Sequence, residues 1–84
     1  MDFDDQLRRY FGTADQADIA PAAMEAGVER MRVDLGLETD RGRRFALWAL
    51  LTMLGAAPDL DVAFKSREDQ DAARDFLDML DRQG

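Results

Sequence analysis

Residues 41–57 read RGRRFALWALLTMLGAA, and the reading of this stretch decides the fold. Beyond its first turn it is apolar on every side except at Thr52. A helix with that pattern is buried all round. Asp40, or Thr39 before it, supplies an N-cap, while Gly55 and Pro58 close the run. The expected element is a central helix over about 41–55. Its apolar part, residues 45–57, is shorter than the roughly 20 residues that span a bilayer, so its expected place is a protein core.

The flanking sequence is amphipathic material suited to covering that helix. On the N-terminal side, Phe3, Leu7, Tyr10 and Phe11 fall on one face of a helix over 2–11, with Asp2 as cap and Gly12 as stop. Asp4–Arg8 and Asp5–Arg9 have the i,i+4 spacing of favourable pairs. After a loop of small residues, Pro21 suits the first turn of a second helix over 21–35. Met24, Val28, Met31 and Leu35 form its apolar stripe, and Gly36 ends it. Gly27 interrupts that helix at a cost of about 1 kcal/mol relative to alanine, which a close helix–helix contact would explain.

On the C-terminal side, Ser66 opens a last helix over 67–82 with a capping box in which Asp69 replaces the usual Glu. Ala73, Phe76, Leu77 and Leu80 line its apolar side, and Asp71, Asp75 and Asp78 its wet side. Arg67–Asp71, Arg74–Asp78 and Asp78–Arg82 are further i,i+4 pairs. The segment between the last two helices is open to two readings. Leu60, Val62 and Phe64 alternate with less apolar residues, which is the period of a strand, yet no other segment offers a partner strand. It is either an extended or 3₁₀ connector that tucks Leu60 and Phe64 under the bundle or a segment that pairs across a homodimer.

The fold class that follows is all-α: a compact four-helix domain covering residues 1–84. Its expected core comprises Phe3, Leu7, Phe11, Met24, Val28, Met31, Leu35, Phe45, Trp48, Leu51, Phe76, Leu77 and Leu80.

Charge and composition narrow the function classes. The formal net charge is −7, from 18 acids against 11 bases, ten of them Arg. A compact acidic domain repels a phosphate backbone and favours basic partners. There is no Cys and no His, which removes disulfides, thiol nucleophiles and the usual zinc ligands. No metal and no cofactor is expected. Taking Asp59 as the start of an EF-hand loop puts Phe64 where Gly is needed and Gln70 where Glu is needed, so calcium is not expected either. The acidic start Met-Asp-Phe-Asp-Asp lacks the features of a signal peptide, and a cytoplasmic location is expected.

One local rule is broken. Arg41, Arg43 and Arg44 crowd a helix N-terminus, where cations oppose the macrodipole. Together with small Gly42 they suggest a site for a phosphate or carboxylate group. The competing reading ties them to Glu38, Asp40 and the last helix. A helix-turn-helix, with 21–35 and 41–55 as its two helices, would place the same arginines against bases. The all-round apolar second helix and the net charge oppose that reading. No group is placed for catalysis, since the paired carboxylates lie on solvated faces.

The leading expectation is therefore a non-enzymatic interaction module of adaptor, inhibitor or immunity type. It would meet a basic protein through an acidic face at Asp71, Asp75 and Asp78. A binder of anionic small ligands through Arg41, Arg43 and Arg44 is the alternative. Homodimerisation through the central helix or through Leu60, Val62 and Phe64 is a separate expectation. Neither nucleic acid nor membrane is expected as a partner.

Overall fold

A computed structural model of the chain describes residues 3–83. Five α-helices follow one another: α1 (Phe3–Phe11), α2 (Pro21–Leu37), α3 (Arg41–Met53), α4 (Leu60–Ala63) and α5 (Arg67–Gln83). A 3₁₀ turn at Gln16–Asp18 lies between α1 and α2, capped by the Asp15 side chain. No strand occurs among the described residues. α1 packs on α2, α2 on α3, and α3 on α5, while α4 packs on α5.

α3 is the buried centre. Leu47, Trp48, Ala49, Leu50 and Leu51 are five consecutive buried residues, which in a helix means cover on all sides. Its ends are built as the sequence implies. The Asp40 carboxylate accepts the backbone N–H of Arg43 at 2.9 Å, which identifies Asp40 rather than Thr39 as the N-cap. At the other end Gly55 takes φ 75°, a conformation that costs glycine little. The Ala56 N–H then reaches Leu51 O and the Gly55 N–H reaches Thr52 O, the double closure of a Schellman motif. The helix therefore stops at Met53, two residues before the expected end. Thr52 meets its own need within α3 by donating its hydroxyl to Trp48 O at 2.9 Å.

Four aromatic rings form the heart of the core. Phe45, Trp48, Phe64 and Phe76 come from α3, the stretch after α4, and α5. Their contacting centroids lie between 5.4 and 6.0 Å apart, mostly in tilted or edge-on arrangements. The Trp48 indole N–H donates to Pro58 O at 3.1 Å, so burial leaves its one polar atom satisfied. Ala73 is fully buried where α5 meets this core.

Several expectations are corrected. The segment at 60–64 is a connector that tucks Phe64 and, in part, Leu60 under the bundle, and it does so neither extended nor as a 3₁₀ turn: Leu60–Ala63 is a single α-helical turn. Leu60, Ala63 and Phe64 have i,i+3,i+4 spacing, so one turn turns Ala63 and Phe64 inward and leaves Val62 72% exposed. That short α4 makes five helices rather than four. Gly36 does not end α2, which continues to Leu37. The surface pairs also differ from the i,i+4 expectation. Arg8 pairs with Asp5 at 3.6 Å and Arg74 with Asp71 at 3.2 Å, both at i,i+3. The expected cap Asp2 lies outside the described residues. Of the expected core, Leu7, Met31, Leu35, Trp48 and Leu51 are buried, while Phe3, Phe11, Val28, Phe45, Phe76 and Leu77 pack against them half-buried. Met24 and Leu80 are likewise half-buried. Tyr10, Leu47, Leu50 and Phe64 are buried members beyond the expected set.

Candidate functional site

The arginines at the start of α3 have three different surroundings. Arg41 reaches across to the first turn of α5, where its guanidinium lies 2.7 Å from Asp69 and 3.5 Å from Glu68. The Asp69 carboxyl is held below its usual range, mainly by the hydrogen bond from Arg41, and the same bond raises Arg41. This contact is largely exposed, so it orients the helix ends and adds little stability. Ser66 caps α5 beside it, its hydroxyl accepting the Asp69 N–H at 3.1 Å, as the capping box implies.

Arg44 turns inward instead. One Nη donates to Leu35 O at 2.7 Å and to Glu38 O at 3.0 Å, and the other donates to Ala63 O. One side chain thus joins the end of α2, the connection to α3, and the end of α4. It also explains why α2 runs past Gly36: an orphan carbonyl of its last turn receives a side-chain donor in place of a left-handed cap. The Arg43 backbone N–H is taken by the Asp40 cap, but its guanidinium has no hydrogen-bond or ion-pair partner among the described residues. Its side chain lines a shallow groove with Arg9, Tyr10, Asp34 and Leu37. Arg41 and Arg44 are thus engaged at separate places, and the three guanidiniums do not converge on one anion position. Arg41 and Arg44, which a base-reading helix would present, are engaged within the fold.

The groove beside Arg43 holds the tightest polar contact between α1 and α2. The Tyr10 hydroxyl donates to Asp34 Oδ2 at 2.5 Å, and the Arg30 guanidinium lies 5.5 Å from the Tyr10 ring centroid. Tyr10 is pushed up to about 12, first by burial, then by the hydrogen bond to Asp34 and by that carboxylate's charge. A neutral phenol is favoured in the folded state, so the stabilisation is complete below the ordinary value near 10 and disappears as pH rises from about 10 to about 12. Tyr10 is the only tyrosine, which makes its absorbance a clean probe. A spectroscopic titration should give a midpoint near 12, and Asp34→Asn should lower it while leaving it above the ordinary value, because burial remains. A wild-type midpoint at the ordinary value would contradict the buried, bonded phenol.

The acidic residues of α5 sit on its outer side. Asp71, Asp75 and Asp78 are exposed and lie opposite the buried Ala73. Asp71 contacts Arg74, which Asp61 shares at 3.6 Å. The carboxylates of Asp75 and Asp78 have no cation within ion-pair distance among the described residues. Of the expected dimer segment, Phe64 is 3% exposed, Leu60 is half-buried, and Val62 alone faces outward.

Arg32 was not singled out by its sequence context, yet it holds the loop after α3. Its Nε and Nη2 donate together to Ala56 O at 3.1 and 2.9 Å. A backbone carbonyl leaves no mark in a side-chain pattern, so no sequence signal pointed to it. Among the described residues no cluster of acids is placed to hold a metal ion, and no helix is long and apolar enough to cross a membrane. Comparison with known proteins finds no match to a family model, to a curated protein or to a solved structure.

Proposed function

We propose that this chain is a non-enzymatic interaction module of adaptor, inhibitor or immunity type that meets a basic protein partner through the outer face of α5. The observation that carries the reading is the state of the charges. The chain holds a formal −7, and Arg32 and Arg44 donate to backbone carbonyls while Arg41 is engaged at a helix end, all away from the outer acids. The carboxylates of Asp75 and Asp78 are left exposed with no ion-pair partner among the described residues, Arg82 reaching only the Asp78 carbonyl, on a helix fixed to the core by Ala73, Phe76 and Leu77. A rigid acidic ridge favours encounter with a basic surface and sets its orientation. The long-range part of such an attraction is screened by salt.

The test is capture of a partner by the wild-type chain and by a variant carrying both Asp75→Lys and Asp78→Lys. Raising salt from about 0.1 M to about 1 M shortens the screening length from about 10 Å to about 3 Å. A partner held by wild type at the lower salt, released at the higher, and not held by the double variant is the expected result. A partner whose binding ignores both salt and charge reversal would sink the acidic-face mechanism.

A further inference from the structure

Beside the end of α2 and α4 lies a concave surface whose charged lining is mostly cationic. Two neighbouring concavities share Gly36, Arg44, Val62 and Ala63 and so form one continuous trough. It runs from Pro58 and Arg32 at one end to Lys65 at the other. Its floor is apolar, with Leu35, Ala63 and Phe64 buried beneath it, and Val62 stands at 72% exposure along it. Its charged lining is Arg32, Arg44 and Lys65 against the single acid Asp69, and Asp69 is already held by Arg41.

Those cations are unusual in a chain with 18 acids. Arg32 and Arg44 donate only to backbone carbonyls, and neither has a carboxylate within ion-pair distance among the described residues. Carbonyls satisfy N–H groups without cancelling a full charge. A guanidinium has five N–H donors, and Arg32 spends two of them on Ala56 O, so three remain for a ligand. Arg44 is partly compensated, because it caps the negative end of the α2 dipole. Arg32 is therefore the main anchor and Lys65 the outlying charge.

We propose that this trough docks an acidic, apolar segment of a partner polypeptide, with a carboxylate on Arg32 and an apolar side chain against Val62. Charge complementarity selects the occupant: unpaired positive charge around an apolar floor matches a carboxylate next to an apolar side chain. The trough is an open surface channel, which suits an extended peptide better than a small molecule, since small ligands need most of their surface enclosed. A second copy of the chain is disfavoured, because each copy carries −7. The site lies on other residues than the acidic face of α5, so either reading stands or falls alone.

The test uses the isotopically labelled full chain and a blocked peptide, acetyl-Glu-Leu-Glu-Leu-amide, with its double glutamine analogue and acetate as controls. The expected result is NMR shifts confined to residues 32–36 and 58–66. Removing the charge-assisted bond, by Arg32→Gln or by the glutamine peptide, should weaken binding by about tenfold or more. Val62→Asp should abolish it. Both substituted residues are exposed. Arg32→Gln also gives up the bonds to Ala56 O, so spectra of the free variants must show the fold and the loop at 54–58 unchanged. The glutamine peptide on the wild-type chain tests the same bond without touching them. No shifts at millimolar peptide, or shifts centred on residues 71–78, would overturn the proposal. So would binding indifferent to Arg32→Gln or to the glutamine peptide, or equal shifts with acetate alone. Self-association in sedimentation that Val62→Asp removes would assign the trough to a second copy and overturn it as well.

Discussion

Arg44→Met is expected to destabilise the fold by about 2–4 kcal/mol, because hydrogen bonds from a charged donor contribute about 1.5–3 kcal/mol and partly buried carbonyls are left without a donor. Three acceptors lose their partner at once: Leu35 O at the end of α2, Glu38 O in the connection, and Ala63 O at the end of α4. Methionine keeps much of the aliphatic stem, so the loss reports the guanidinium rather than missing volume. For a domain of this size each kcal/mol lowers Tm by about 4–8 °C, which puts the expected fall at about 8–32 °C. Arg44→Lys should recover only a small part. A lysine ammonium is a compact point of charge, whereas the three carbonyls belong to separate segments that a planar fork spans. Denaturant unfolding followed by Trp48, the only tryptophan, measures both variants. A change below about 1 kcal/mol would mean that water replaces the guanidinium at these carbonyls.

The same residue shows where the sequence is legible and where it is not. The burial of α3 could be read directly, because apolar residues on every side leave a helix no wet face. The caps at Asp40 and Ser66 could be read too, since each is a side-chain oxygen acting on the backbone within three residues. Arg44 could be flagged as a cation in the wrong place on a helix, but not assigned. Its partners are main-chain carbonyls nine, six and nineteen residues away, and any residue type can supply those. Tyr10 and Asp34 lie 24 residues apart, beyond any local spacing rule. The segment at 60–64 was ambiguous for a different reason. Over five residues, alternation and a single helical turn overlap, and a four-residue helix has too few positions to separate them. The i,i+3,i+4 relation of Leu60, Ala63 and Phe64 was a usable signal. That signal is weaker than the alternation of large side chains, because its middle member is only an alanine.

Gly27→Ala is the second large effect, and its sign is opposite to what helix propensity alone predicts. Alanine in place of an interior helical glycine normally stabilises by about 1 kcal/mol. Here Gly27 is buried under the ring of Phe11, the last residue of α1. A Cβ at Gly27 would lie 2.1 Å from Phe11 Cε1 and 2.6 Å from Cδ1, far inside contact distance. The ring must shift, which disturbs the packing of α1 on α2 at this point. Overpacking of this kind costs about 1–3 kcal/mol, enough to outweigh the propensity gain. The ring belongs to a movable side chain, so the clash itself does not prove the cost, and a double-mutant cycle decides it. In a Phe11→Ala background the obstruction is gone, and Gly27→Ala should then stabilise by up to about 1 kcal/mol. The change of sign between the two backgrounds is the expected result, read by denaturant unfolding. Tyr10 adjoins Phe11 and ties α1 to Asp34, so in the single variant a weakened α1 contact should also lower the Tyr10 midpoint from about 12 toward its ordinary value. Stabilisation by Gly27→Ala in the wild-type background, with the Tyr10 midpoint unmoved, would show that Phe11 swings aside without loss and that the glycine is not required by the α1–α2 contact.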